Sequence, residues 1–298
     1  MLSKEARQFI RDLTASYEQN LGKPAPSLEE IRLAEQKEFE ARAFAYPTSR
    51  VEVRRTPQAS MDVLHPAHET SARAAFYIHG GGWTTGSALR AREVGAFFSE
   101  ECGMKAYLPE YRLAPECKFD GQLTDCLGAY RAAMEETQGE LFVFGSSAGG
   151  HLALATLLKA QDEGLPMPKG VGLFSPVTYL EPNGKDCYDC LHDYDIILHL
   201  FSDKFCHECI ASGTPDDRYL RTVDGNFAAF PPVFIACGSE ECLLEDSVIL
   251  FKRMKKAGVK AVLDVKPGLW HSYLECQHWL PEAKEKLREM LGYLLENA

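Results

Sequence analysis

The sequence predicts an α/β protein built on a mostly parallel sheet with helices on both faces. Three observations carry this. Short, continuous apolar runs recur along the chain, each bounded by turn residues, as strands buried on both faces require. Amphipathic stretches of helix length separate them, the alternation expected of crossover helices. One run, Leu141-Phe142-Val143-Phe144, enters Gly145-Ser146-Ser147-Ala148-Gly149 and then an apolar helix that begins with Leu152, Leu154, Leu157 and Leu158. The 298 residues, 45% of them hydrophobic, suffice for one large core.

Leu2, Ala6, Phe9, Ile10, Leu13 and Tyr17 lie at helical spacing, and Gly22, Pro24 and Pro26 end that helix. Ser27 and Glu30 form a capping box that opens a second helix running to about Ala45. Both helices precede any strand, so they are expected to pack over the core rather than within it. From Val51 the period changes to two: Val51 and Val53 make one strand, and Met61, Val63 and Leu64 its hairpin-like partner. Ala74–Ile78 is a buried strand. A helix over Arg90–Glu101 follows, then a strand at Met104–Leu108 and a helix at Asp120–Glu136. After the strand that leads to Ser147 come strands at Val171–Phe174, Val233–Cys237 and Ala261–Val265, with helices at 245–257 and 282–296. The least regular part, about 179–230, reads as an insertion before the strand at Val233.

The net charge of −11, with no basic block, makes nucleic acid and anionic membrane surfaces poor partners. No apolar run approaches a bilayer span. The N-terminus passes through Lys4, Glu5, Arg7 and Arg11 without an apolar core, so no signal peptide is expected and a cytoplasmic location is. The ten cysteines are then expected to be thiols or metal ligands rather than disulfides.

Gly-x-Ser-x-Gly between strand and helix is the setting of a nucleophile elbow, which would present the Ser147 hydroxyl. Gly145 and Gly149 flank it where a Cβ would crowd the backbone. A second glycine-rich stretch, His79-Gly80-Gly81-Gly82-Trp83, also follows a strand. Its backbone N–H groups can converge on one oxygen, as the tetrahedral intermediates of acyl transfer need. Serine needs a base. Of the nine histidines, His271 lies in the loop after the last strand, at the carboxyl edge of the sheet with Ser147, whereas His79 and His151 are placed to support the loops. The loop after the strand at Val233 offers Glu240, Glu241, Glu245 and Asp246 as the partner that orients the histidine. Glu241 is the choice among them, with Glu240 and Asp246 behind it. A helix N-terminus, which favours acids, accounts for some of the four.

His79-Gly80-Gly81-Gly82-Trp83, Gly145 through Gly150, Tyr111-Arg112-Leu113-Ala114-Pro115-Glu116, Gly238 through Asp246 and His271-Ser272-Tyr273 occur in the order of one family. Together they resemble the hormone-sensitive-lipase-like, HGGG-motif branch of the α/β-hydrolases, the bacterial type of carboxylesterase. The resemblance implies an α/β-hydrolase fold with an eight-stranded, mostly parallel sheet. It implies oxyanion donors from the backbone of Gly81, Gly82 and Ala148. It also implies a small helical cap, formed by an N-terminal segment (1–50) and the insertion at about 179–230, on a hydrolase domain at 51–298. A homodimer is the assembly it implies. Two positions depart from the family pattern. Ser146 stands where an Asp usually precedes the nucleophile, and Glu241-Cys242 stands where Asp-Pro is usual.

Cys187-x2-Cys190 and Cys206-x2-Cys209, 15 residues apart, have the spacing of a four-thiolate zinc site. Neither pair carries the Gly usual after a knuckle turn, and Ile196, Ile197, Leu200 and Phe201 between them read as a helix facing a pocket, so no metal is expected. The expected activity is a cofactor-free serine carboxylesterase that hydrolyses short- to medium-chain acyl esters through an acyl-enzyme. Its triad would be Ser147, Glu241 and His271, with Trp83, Tyr273 and the 191–201 segment as pocket walls. An amidase or arylformamidase with the same apparatus, or a non-catalytic ligand-binding relative, are the alternatives.

Overall fold

The computed structural model describes residues 1–20, 23, 26–42, 50–57, 59–179, 195–198, 210 and 217–298. Its strands are β1 (Arg50–Arg55), β2 (Ser60–His65), β3 (Ala74–Ile78), β4 (Lys105–Pro109), β5 (Leu141–Ser146), β6 (Gly170–Phe174), β7 (Val233–Gly238) and β8 (Ala261–Lys266). They form one eight-stranded sheet in the order β1-β2-β4-β3-β5-β6-β7-β8. β1 pairs with β2, and β2 with β4, antiparallel; all remaining pairs are parallel. The expected mostly parallel sheet with a hairpin entry is therefore the one observed.

The helices are α1 (Lys4–Asn20), α2 (Leu28–Arg42), α3 (Ala88–Ala96), α4 (Phe119–Glu136), α5 (Ala148–Asp162), α6 (Leu244–Lys256) and α7 (Pro281–Asn297). The single helix expected over Arg90–Glu101 is instead α3 followed by a π-helical turn, Phe97–Glu101. The capping box of α2 forms as expected: the Glu30 N–H donates to Ser27 Oγ (3.2 Å) and the Ser27 N–H to Glu30 Oε2 (2.8 Å).

Strand residues alternate between two core layers. Phe76, Ile78, Val143, Val171, Leu173 and Ile235 pack against α4, α5 and α6. Ala75, Tyr77, Phe142, Phe144, Phe174 and Phe234 pack against α3 and α7. Each large side chain buried this way contributes about 1.5–3 kcal/mol. Covered on both faces, near-continuous apolar strands are stable here. The parallel strands all end at one edge. The loops leaving β3, β5, β6, β7 and β8 there carry Gly80–Gly82, Ser147, Ser175, Glu241 and His271, respectively.

α1 lies against these loops through Phe9, whose ring sits 4.6 Å from Trp270 and 5.1 Å from Trp279. α2 carries no buried residue and attaches by polar contacts. Arg32 donates from Nε to the Thr84 carbonyl (2.8 Å), from Nη2 to the Ala114 carbonyl (2.6 Å), and pairs with Glu116. Glu35 accepts from the Gly86 N–H (3.0 Å) and from Arg90 (3.1 Å).

Candidate active site

Ser147 sits at the junction of β5 and α5 with φ 54° and ψ −121°, a strained conformation for a residue with a side chain. Such backbone stores about 1–3 kcal/mol and persists only where its surroundings enforce it. Here they do. A Cβ at Gly145 would lie 2.5 Å from the Gly149 carbonyl oxygen, and one at Gly149 would lie 2.2 Å from the Ile78 oxygen. The Ser147 N–H donates to the Phe174 carbonyl (2.9 Å), and its own carbonyl accepts from the His151 N–H (3.1 Å). The backbone is thus locked, and the hydroxyl faces a cavity of about 460 Å3.

His271 Nε2 lies 2.9 Å from Ser147 Oγ. The other ring nitrogen, Nδ1, faces Glu241 Oε1 at 3.5 Å, an ion-pair distance longer than a formed hydrogen bond. Neither atom has another hydrogen-bond partner among the described residues. Glu241 is held from behind: its Oε2 accepts from Ser175 Oγ (2.7 Å) and from the Gly238 N–H (2.8 Å). Burial pushes the His271 pKa down, but the carboxylates of Glu241, Asp195 and Glu275 outweigh it, and the value ends above the ordinary 6.5. The alternative acids are engaged elsewhere. Glu240 is exposed and accepts from Ser239 Oγ (2.7 Å), while buried Asp246 accepts from the Thr178 N–H (2.7 Å). A serine hydroxyl in contact with an imidazole that a carboxylate faces can lose its proton as it attacks a carbonyl.

The glycine-rich strip reverses direction through positive φ at Gly81 (116°), Gly82 (57°) and Trp83 (60°). The Gly81 carbonyl turns away to accept from the Thr84 (3.1 Å) and Thr85 (2.9 Å) N–H groups. Gly80, Gly81 and Gly82 line the cavity beside Ser147, and Ala148 opens α5 directly after it. First-turn N–H groups of a helix have no acceptor within the helix. His79 braces this strip: its Nδ1–H donates to the Gly80 carbonyl (2.7 Å), and its ring stacks on Tyr111 at 4.3 Å. Burial holds its pKa down at about 4, so it stays neutral. His151 contacts the Leu220 carbonyl (3.1 Å) and the edge of Trp83. Both histidines support loops, as their positions imply. The Tyr111–Glu116 block acts on the same strip, since the Ala114 N–H donates to the Trp83 carbonyl (2.9 Å).

Trp83 lines the cavity with Phe9, Ile31, Val177, Leu243 and Trp270. Ile197 and Leu198 of the expected 191–201 wall also line it; the rest of that segment lies outside the described residues, apart from Asp195 and Ile196. Tyr273 does not line the cavity, which corrects its expected place as a pocket wall. Ser272 is left-handed (φ 56°, ψ 29°) and turns the chain into a 3₁₀ turn, Tyr273–Cys276. Tyr273 and Leu274 then point into the core layer shared with α7, and Glu275 and Cys276 face the cavity instead.

Sequence reasoning missed four residues of the site. Ser175 braces Glu241, Ser272 Oγ lies 3.1 Å from His271 Nε2, and Glu275 lines the cavity. Asp195, from the irregular insertion, accepts from the Cys242 N–H (2.9 Å) and so fixes the loop that carries Glu241. Adjacency to His271 and to the end of β6 could have pointed to Ser272 and Ser175; nothing in the sequence pointed to Asp195. Cys187, Cys190, Cys206 and Cys209 lie outside the described residues. The remaining six cysteines form no disulfide among the described residues.

Residues 75–275 match the family described as alpha/beta hydrolase fold. The chain is 28% identical to an acetyl-hydrolase of Streptomyces hygroscopicus over 242 residues, 79% of this chain and 79% of that protein. It is 26% identical to an esterase of Acinetobacter venetianus over 232 residues, 76% of each. Among solved structures, a hormone-sensitive lipase from a metagenome library superimposes with a TM-score of 0.86 at 25% identity, covering 99% of this chain and 98% of that one. The esterase EstE5, in crystals soaked with p-nitrophenyl butyrate, does so with a TM-score of 0.86 at 26% identity, covering 99% of each. With its sheet order, its strained serine turn and these relatives, the chain belongs to the alpha/beta hydrolase fold family, in the branch of the hormone-sensitive-lipase-like esterases.

Proposed function

We propose that this chain is a serine carboxylesterase acting on short- to medium-chain acyl esters through an acyl-enzyme. The observation that carries the reading is the 2.9 Å contact between Ser147 Oγ and His271 Nε2 at the wall of a largely apolar cavity. Esterase and acetyl-hydrolase relatives support it. In this mechanism Ser147 Oγ attacks the ester carbonyl as His271 Nε2 takes its proton. Glu241 holds the Nδ1–H tautomer and stabilises the imidazolium. The carbonyl oxygen, now charged, is received by the N–H groups of Gly81, Gly82 and Ala148. His271 protonates the departing alcohol, and a water activated by the same imidazole hydrolyses the acyl-enzyme.

The cavity, about 460 Å3, lies in the lower part of the usual range of ligand pockets, roughly 300–1,000 Å3, which favours small esters over triacylglycerols. Residues 1–50 and the insertion near 179–230 act as the cap of this pocket, a role supported by Phe9, Pro26, Ile31, Ile197 and Leu198 at its walls. The assembly we propose is a homodimer, which sedimentation would test. A p-nitrophenyl ester series on the wild type and on Ser147→Ala tests the activity. The wild type should prefer butyrate-length chains, and Ser147→Ala should lose at least about 10⁴-fold in kcat. A clear preference for long chains overturns the size assignment. An active Ser147→Ala variant, or no phosphonate adduct on intact protein, overturns the esterase reading.

A further inference from the structure

His271 Nε2 faces two hydroxyls rather than one. Ser147 Oγ is 2.9 Å away and Ser272 Oγ 3.1 Å away. Ser272 Oγ is in turn 2.9 Å from Ser146 Oγ. The Ser146 hydroxyl is among the groups that favour the ionised form of Glu275. Glu275 is anchored on its other sides: Oε1 accepts from the Tyr77 hydroxyl (2.9 Å) and Oε2 from Arg90 Nη2 (2.8 Å). Burial works against its charge, but Arg90 and the Ser146 and Tyr77 hydroxyls together outweigh burial, so its pKa lies below the ordinary carboxylate value. The arm on the opposite side of the ring is long, with 3.5 Å between Nδ1 and Glu241.

From this geometry we propose that Glu275, acting through Ser146 and Ser272, is a second carboxylate arm that positions His271 and stabilises its charged form from the Nε2 side. The inference rests on the esterase reading. Each hydroxyl has one hydrogen to donate and lone pairs to accept with. Once His271 holds the proton taken from Ser147, Nε2–H can donate to Ser272 Oγ, Ser272 to Ser146, and Ser146 to Glu275. No covalent bond changes in this chain; only hydroxyl rotors turn. It gives the imidazolium an acceptor other than Ser147 until the leaving oxygen arrives, which disfavours return of the proton. It also accounts for Ser146: the carboxylate that a residue before the nucleophile would supply directly arrives instead from the turn after His271. The charged and titratable groups facing this ring are Glu241 and Asp195 on one side and Glu275 on the other. Arg90, Glu35, Tyr77 and neutral His79 surround Glu275.

The test uses Ser272→Ala, Ser146→Ala, the double variant and Glu275→Gln in the full chain. An NMR titration of the His271 imidazole and the pH profile of kcat/KM for p-nitrophenyl butyrate are the readouts. Cutting the arm removes stabilisation of the imidazolium, so the imidazole pKa and the acid limb should both move to lower pH. kcat should fall about tenfold with KM unchanged. Because the two serines act in series, the double variant should lose no more than the larger single loss. Ser272→Gly, which suits the left-handed backbone, replaces Ser272→Ala if that variant does not fold. A Ser272 variant with wild-type melting temperature, wild-type imidazole titration and wild-type kcat overturns the proposal, as do fully multiplicative losses in the double variant. The NMR titration needs no turnover: a wild type inert to every ester overturns the esterase reading, while the titration still decides whether the arm exists.

Discussion

Replacing Glu241 by Gln removes one charge and leaves the shape of the side chain intact, and the surrounding hydrogen bonds decide the outcome. Oε2 now accepts from Ser175 Oγ and the Gly238 N–H, while Oε1 faces His271 Nδ1. A glutamine has one oxygen for these two tasks. If the oxygen stays on Gly238, the NH2 group faces Nδ1 and selects the tautomer protonated at Nε2, which cannot take the Ser147 proton. If the amide flips, the buried Gly238 N–H loses its acceptor, at about 1–3 kcal/mol. The first arrangement keeps the fold and ruins the base. A wrong tautomer in a serine–histidine–acid constellation lowers kcat about 10⁴-fold, equivalent to about 5 kcal/mol. Glu241→Asp probes distance rather than charge. At an effective dielectric constant of about 20, charges 3.5 Å apart attract by about 5 kcal/mol, and one methylene of retreat, about 1.5 Å, leaves about 3. The difference predicts a loss of the order of tenfold. Steady-state hydrolysis of p-nitrophenyl butyrate, with urea melts to verify folding, measures both. A folded Glu241→Gln enzyme within tenfold of wild type would refute the assignment of the tautomer-fixing role to Glu241.

In the proposed mechanism His271 must be neutral to act as base, and its pKa is raised above 6.5, so kcat/KM should fall on an acid limb centred above that value; a limb well below it contradicts the carboxylate influence. His79 titrates near 4 in the fold and near 6.5 when unfolded, so the unfolded chain binds the extra proton first and stability is lost as pH falls from 6.5 towards 4. Urea midpoints at about pH 7 and about pH 4.5 should converge in His79→Gln, by up to about 3 kcal/mol of stability. Gly149→Ala places a Cβ 2.2 Å from the Ile78 oxygen and 2.3 Å from the His79 oxygen, and should give little folded protein, or folded protein without activity; normal expression and kcat would show the turn to be pliant. Phe9→Ala removes the ring packed beside the stacked Trp270 and Trp279 and should raise KM for butyrate esters and lower stability by about 1–2 kcal/mol.

The fold is legible in the sequence where local pattern and burial coincide. Ala74–Ile78 is uniformly apolar because it is buried on both faces, and the bounds of the apolar run are the bounds of the strand. The serine turn is legible because only Gly fits at 145 and 149. The π-helical turn at Phe97–Glu101 is not, because one extra residue in a turn leaves helical periodicity almost unchanged. Tyr273 departs from its expected place because its direction depends on left-handed Ser272, and serine carries no preference for that conformation. Glu275 gives no local signal because its partner, Arg90, lies 185 residues away. Long-range ion pairs leave no periodic trace, and neither does the reach of Asp195 to the acid loop.

α1 and α2 wall the same cavity, yet they adhere by unlike forces. Phe9 of α1 sits among indole rings, an attachment that excluded salts such as sulfate strengthen. α2 is tied by Arg32 and Glu35 to backbone and partly exposed charges, an attachment that mobile ions weaken. Added salt therefore loosens the α2 attachment and leaves the α1 attachment intact. Because Arg32 donates to the Thr84 and Ala114 carbonyls beside the glycine-rich strip, salt that loosens these contacts acts next to Gly81 and Gly82 without any ion entering the cavity.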